Sequence, residues 1–498
     1  MPRTEAGPTP RAAAGPLGTA LGVLLALALG AGLGWLSFAD GRWGWLAQVR
    51  LLGPEPMLLN DVPFLGVLLV VLLCAVAAWF LAWVRASEGW DRPVLGLMVF
   101  SFFADAVPAL FQIALFLTLL VLVERALRRG DLPLVLTPLV IPLGLILVSY
   151  ATTFFQSTKL APDILDYLFR VVAVGMVALL PVLLRRPGQL DLLFRFMVVS
   201  ACISTLAAFG QLALSLATGQ IVTFGQAAFD SFKIGDLVIP RCTGLMYHPN
   251  HASNTLASVA VMALYFATAP RARMPRARRR ALLAAYAFLT LGVFITFSRS
   301  GWLTLAIATF LIPALRWPRV LPAYAAGLAA VITAGWVSGV LPALYDLVVQ
   351  LNQDSADFRW HIDRIALHAF REHPWIGIGV ERSVEWFNPF HLQVHNTYLQ
   401  ALSEMGLFGF AAFGLLAGWL GWRVLTALRT TREPHRRDWI VALVLASVII
   451  LVQNLFEMFL WIKFLWFWIA LIEAAVLVCL APVPDGDPDR VAFLPDVR

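Results

Sequence analysis

Arg299 stands in "TFSRSGW" (296–302), a turn between two apolar runs with no other basic residue near it in the sequence. A charge at a membrane boundary is costly unless paired or solvated, so such a residue is a functional candidate. The alternative is that Arg299 snorkels to the interface, or caps a helix ending at 298, where a cation suits the dipole. A second arginine, Arg241, sits in "VIPRCTGLMYHPNHASNTLA" (238–257), with Tyr247, His248, Asn250 and His251 at the mouth of another apolar run. Taken alone, a loop arginine is ordinarily solvated. In "VHNTYLQALSEMGLFG" (394–409), His395 stands at a helix entrance, with Asn396, Tyr398 and Glu404 following. Histidine suits proton abstraction at neutral pH. A lone histidine at a helix entry is more often a hydrogen-bonded structural residue, and His248, His251 and His391 compete for the same role.

The fourth stretch is "DFRWHIDRIALHAFREHPWIGIG" (357–379). Its Trp360, Ile365, Leu367, Phe370 and Trp375 lie among charges, the pattern of an amphipathic helix at an interface. Pro374 stops that helix and two glycines permit a tight turn. Arg359, Arg364 and Arg371 suit anionic headgroups or a diphosphate, and equally a solvated face. No CxxC or HExxH occurs, and no His/Asp/Glu spacing suggests a metal. Cys74, Cys202 and Cys479 fall inside apolar runs and only Cys242 in a loop, so no disulfide framework is available.

The elements that must position these residues are membrane helices. The chain of 498 residues is 60% hydrophobic and 13% charged, against about 25% charge for a soluble protein. Its mean hydropathy is +0.79. Apolar runs fall near 17–38, 64–84, 93–107, 109–123, 133–152, 164–184, 191–217, 252–270, 281–298, 301–315, 320–338, 397–426, 439–457 and 459–480. They predict an all-α integral membrane protein of about 12–14 transmembrane helices, a single polytopic domain over 1–498. The first run is long enough to be a retained helix rather than a cleaved signal. Asp105 and Pro108 mark a hairpin tip or a kink between the third and fourth runs.

The net charge of +7 arises from arginine clusters in short loops. That pattern orients a membrane protein and argues against a nucleic-acid partner. Alternating the runs from a cytoplasmic N-terminus puts 125–130, 185–188, 271–280, 316–319 and 429–437 on one side. The opposite side receives 218–251, the 298–301 turn and one large loop, 339–396, which holds four Arg against seven Asp/Glu. All four chemistry-bearing stretches therefore share the external face. Glu457, Asn454 and Lys463, near the external end of the last helices, read as structural pairs.

Together these stretches resemble the O-antigen ligase and polymerase family of bacterial envelope glycosyltransferases, in order across roughly 238–410. "PRCTGLMYHPNHAS" is similar to the family's Arg-Gly-(x)-Pro-Asn helix entry, and "FSRSGWL" to its Ser-Arg turn. "RWHIDRIALHAFREHPWIGIG" is similar to its loop helix. "HNTYLQALSEMGLFG" resembles its His-Asn, nine residues, Gly-x-x-Gly pattern through Gly406 and Gly409. The resemblance implies a GT-C-like membrane fold whose periplasmic loop contains amphipathic helices. It implies transfer of a glycan from undecaprenyl diphosphate to an acceptor hydroxyl, a lipid A-core sugar, at the periplasmic face of the bacterial inner membrane. Neither metal nor other cofactor is implied; the partners are the lipid-linked donor, the glycan acceptor and membrane lipids.

Within that resemblance His395 is the base, and Arg241 and Arg299 bind the diphosphate. Arg359, Asn396, Tyr398, Asn250 and Tyr247 contact substrate, with Glu404, Arg364 and His248 in support. Ligase is the favoured member; polymerase and protein O-oligosaccharyltransferase are its alternatives. A transporter or lipid flippase would instead place ionisable groups at the bilayer midplane, often in repeated halves.

Overall fold

The computed structural model describes residues 51–52, 91–104, 110–111, 113–115, 117–118, 139–156, 160–184, 187–219, 221–222, 231–234, 237–270, 274–343, 353–379, 394–460 and 462–481. The expected passes at 17–38 and 64–84, the 125–130 cluster, Asp105, Pro108 and His391 lie outside them.

Twelve α-helices have defined bounds among the described residues. They are α1 (Asp91–Phe103), α2 (Val140–Ala151), α3 (Leu160–Leu183), α4 (Pro187–Thr218), α5 (Pro249–Ala267) and α6 (Arg276–Ile295). The second six are α7 (Arg299–Arg316), α8 (Leu321–Val337), α9 (Gln353–Glu372), α10 (Thr397–Thr430), α11 (Pro434–Gln453) and α12 (Lys463–Leu480). Two antiparallel ribbons accompany them: β1 (Leu51–Leu52) with β2 (Ile221–Val222), and the hairpin of β3 (Ser231–Ile234) with β4 (Leu237–Pro240).

Helices dominate because hydrocarbon offers no water to unpaired backbone groups, and a helix satisfies its own. Gly188–Thr218, Pro318–Val337, Thr397–Thr430 and Lys463–Leu480 are long and apolar enough to cross a membrane. The first of these overlaps α4, the second runs through α8, and the last two are α10 and α12. α8 has no buried residue, as expected of an apolar helix facing lipid. α12 is its opposite, burying Trp466, Phe467 and Trp468 in the core. α5 is buried almost throughout although it carries Asn250, Ser253, Asn254, Thr255 and Ser258. It packs on α6, α7 and α11, while α12 packs on α3, α10 and α11.

Boundaries differ from the sequence expectation at two informative places. The turn before Arg299 is 296–298, so Arg299 begins α7 rather than ending α6. At a helix N-terminus the dipole repels a cation, which removes the capping explanation for this residue. The penultimate helix ends at Gln453 rather than 457. Asn454 and Glu457 are thereby released into the connection to α12.

α10 is two helical stretches joined at Gly406, whose φ of 63° and ψ of −166° break the helix. The strap after α9 docks into that break. Leu407 and Phe408 donate their N–H groups to the Pro374 and Trp375 carbonyls, at 2.8 and 3.1 Å, and Ile378 and Gly379 donate to those of Ser403 and Glu404, both at 3.0 Å. Gly377 faces the Glu404–Met405 backbone and Gly406 the backbone of Trp375 and Gly377, and a Cβ on either would collide with what it faces. Both have positive φ, at 69° and 63°, where glycine alone is unstrained. Gly377, one of the two glycines expected to make a turn, thus helps clasp two elements together.

Candidate active site

Arg241 leaves β4 at the start of a loop held rigidly against α4. Gln211 Oε1 accepts the N–H groups of Thr243 (3.0 Å) and Gly244 (2.9 Å), and its amide donates to Thr243 Oγ1 and the Gly244 carbonyl. Gly244, with φ 62°, lies so close to Ser204 that no side chain fits there. From this support Arg241 reaches across to the end of α6. Its Nε donates to the Thr296 carbonyl (3.3 Å), and its Nη2 to Asn250 Oδ1 (2.8 Å). Asn250 is buried and donates its amide onward to Glu457 Oε1.

Glu457 is the hub of the arrangement. It is 2% exposed, and Arg359 Nη2 lies 3.4 Å from its Oε1. His395 Nδ1 is 3.6 Å from its Oε2, an approach longer than a formed hydrogen bond and chiefly a charge interaction. Burial pushes this carboxyl up, but the interactions with His395 and Arg359 outweigh it and hold the group well below the usual carboxylate range. Thr397 ties the same loop to α10. Its Oγ1 donates to the Glu457 carbonyl (2.6 Å), and its backbone N–H to the Asn454 carbonyl (2.8 Å). Asn396 caps α10, accepting the Tyr398 and Leu399 N–H groups at 3.0 and 3.1 Å. His395 is therefore fixed by the cap beside it and the carboxylate behind it.

Arg241, Asn250, Arg299, Arg359, Asp363 and His395 line one cleft of about 460 Å³, together with Phe297, Ser300, Leu303, Trp360, Leu455 and Phe456. Five separate segments deliver these groups: residues 241–250, the start of α7 with the turn before it, α9, the entrance of α10, and the connection between α11 and α12. The charge is unbalanced, with three guanidiniums against Asp363 and the buried Glu457. Arg299 makes no hydrogen bond or ion pair among the described residues. Burial and the neighbouring Arg359 charge both lower its pKa, without approaching discharge at neutral pH. Ser298 caps α7 beneath it, accepting the Gly301 N–H at 3.3 Å. The preceding residue, Phe297, has φ 50°, and it is the one non-glycine with positive φ among the described residues.

Of the residues singled out from sequence, the cleft gathers Arg241, Arg299, Arg359, Asn250 and His395. The others stand apart from its lining. Asn396 is spent on its cap, and Tyr398 donates its hydroxyl to the Leu451 carbonyl at 3.0 Å. His248 accepts the Asn250 N–H through Nδ1 and caps α5; burial pushes its pKa down to about 3. Tyr247 is half-buried beside it, and Arg364 is exposed on α9. Glu404 is buried in α10, where Gln400 Nε2 approaches it at 3.4 Å. Lys463 lies 4.9 Å from the centre of the Phe111 ring, in the structural role expected.

Sequence reasoning gave Glu457 a structural pairing and passed over Asp363. Glu457 had a usable signal, an isolated acid in the aromatic-rich "NLFEMFLW" on the same face as the arginines. Asp363 looked like one charge among many, and only the one-turn offset from Arg359 marks it.

Comparison with known proteins agrees on one segment. Residues 284–414 match the family model described as "O-Antigen ligase". No curated protein matches the chain. A solved structure entitled "Structural coordination of polymerization and crosslinking by a peptidoglycan synthase complex" aligns over 69% of this chain and 96% of its own, at 19% identity and a TM-score of 0.36. That likeness is too loose to bear on fold or function.

Proposed function

We propose, from the match of residues 284–414 to the family model described as "O-Antigen ligase", that this membrane protein is a glycosyltransferase of that family and moves a glycan from undecaprenyl diphosphate to an acceptor hydroxyl at the periplasmic membrane face. The acceptor on this reading is a lipid A-core sugar. The observation that carries the proposal is the convergence of Arg241, Arg299, Arg359 and His395 on one cleft.

A diphosphate leaves readily once its developing charge is met. Guanidiniums remain protonated and offer paired N–H donors matched to phosphate oxygens, so they supply the stabilisation often given by a divalent cation. Arg241 and Arg359 are pre-oriented by their bonds to Asn250 and Glu457. Arg299 has no bond to break among the described residues before meeting an anion.

The acceptor hydroxyl gives its proton to His395. With Nδ1–H directed at Glu457, the lone pair sits on Nε2, and the carboxylate stabilises the imidazolium that forms. The new bond joins the acceptor oxygen to the anomeric carbon as the bond to the diphosphate oxygen breaks. The electron pair leaves with the diphosphate, and displacement in line inverts the anomeric centre.

Purified protein incubated with undecaprenyl-diphosphate glycan and lipid A-core tests this directly. Glycosylated core is the expected product, and His395→Ala is expected to lower its formation by about 10²–10⁴-fold. Product on a second lipid-linked repeat would reassign the acceptor. Undiminished transfer by His395→Ala would remove the base assignment.

A further inference from the structure

The proposed reaction accounts for the arginines and the histidine but leaves one wall of the cleft unused. α9 presents Arg359, Trp360 and Asp363 to it together. Trp360 is 65% exposed and lines the cleft, so its ring is open to a guest there. Asp363 is half-buried, and its Oδ1 is fully sheltered, with no hydrogen-bond donor reaching it among the described residues. The half-buried carboxylate lines the cleft as an acceptor-only group, free to take a ligand hydroxyl or amide there.

An aromatic face beside an unsatisfied carboxylate is the chemistry of sugar binding. The C–H face of a pyranose is apolar and slightly positive, so it covers the negative face of an indole. The ring's edge hydroxyls then donate to the carboxylate. Asp363 lies one helical turn from Arg359, so a ring seated on it is adjacent to a phosphate held by that arginine.

We propose that Trp360 and Asp363 form the subsite for the sugar attached directly to the donor's diphosphate. This rests on the donor reading given above, and it adds recognition of the glycan to recognition of the lipid diphosphate. Trp360 stacks on the ring, and Asp363 accepts from a hydroxyl or an N-acyl amide. The pair thereby selects loaded donor over spent carrier, because undecaprenyl diphosphate without a sugar gains nothing from either residue.

The test measures binding of two probes to the full-length protein in lipid nanodiscs: undecaprenyl diphosphate, and undecaprenyl-diphospho-N-acetylglucosamine. The protein is expected to bind the sugar-bearing probe about tenfold more tightly than the bare one. Trp360→Ala and Asp363→Asn should each erase that preference while leaving the bare probe within about twofold. Trp360→Phe should keep part of it, because a smaller aromatic face remains. Arg299→Ala should weaken both probes equally. Equal loss of both probes in Trp360→Ala, or no loss of either, would overturn the subsite. So would an effect confined to the acceptor KM, which would give the wall to the acceptor. Failure of the unsubstituted protein to bind either probe would overturn the donor reading itself, a result distinct from loss of the sugar preference alone.

Discussion

Arg316 and Arg299 stand at opposite ends of α7, and their surroundings could hardly differ more. Arg316 Nη1 lies 2.7 Å from Asp438 Oδ1, its guanidinium sits 3.9 Å from the centre of the Tyr265 ring, and Tyr265 also donates to Asp438. Nearby, His435 meets Asp191 at 3.2 Å, Trp439 donates to the same carboxylate, and Arg436 donates to the Val478 and Ala481 carbonyls. A hollow of about 350 Å³ beside Arg316–Val320 faces an arginine whose charge is already answered. At the Arg299 end, three arginines share a cleft with fewer carboxylates. Both ends are rich in arginine. Pairing ties helices together at the Arg316 end, whereas Arg299 makes no hydrogen bond or ion pair among the described residues.

Removing a charge should therefore have opposite consequences at the two ends. The largest effect is expected at His395: substitution by Ala should lower transfer by about 10²–10⁴-fold, measured as turnover per folded molecule. Arg299→Ala should cost about 10²–10³-fold in turnover with an unchanged melting temperature, because it breaks no bond among the described residues. Arg299→Lys should recover only part of the loss, since an ammonium lacks the paired donors of a guanidinium. Arg316→Ala should do the reverse, destabilising the protein by about 3–5 kcal/mol by stranding Asp438, with turnover per folded molecule intact. Equal loss of activity in the Arg316 and Arg299 variants would erase the distinction between the ends.

The smallest effect concerns acid. His248 is held at about 3 in the folded protein against 6.5 for the free side chain. Between those values the unfolded chain binds a proton that the folded protein refuses. Stability is therefore complete above 6.5 and falls as pH drops towards 3. His248→Asn keeps a capping side chain but removes the proton. Its melting temperature, followed by circular dichroism from pH 7 to 4, should fall less steeply than that of the unsubstituted protein.

The helices from α3 onward were legible because uninterrupted apolar runs and arginine-rich loops are strong signals. Arg241, Arg299 and His395 stood out for the same reason, as polar groups where apolar ones were expected. The partners that make them a site were not legible. Glu457 meets Asn250, 207 residues away, and Arg359, 98 residues away, and no local pattern encodes such a meeting. The clasp at Gly377 and Gly406 was equally hidden, because sequence shows that glycine permits an unusual backbone but not which backbone will approach it. A boundary error of a few residues was enough to hide Glu457 at a helix end.

Phe297 carries a consequence for anyone who would make this protein sturdier. Its left-handed backbone costs about 1–2 kcal/mol for a residue with a Cβ, and it sits between the cap of α6 and the cap of α7. Phe297→Gly would relieve that strain, and a screen for heat resistance would favour it. The same exchange would free the hinge that aims Arg299 and strip an aromatic ring from the cleft. On the proposed reading of the cleft, durability and turnover are set against each other at this one position.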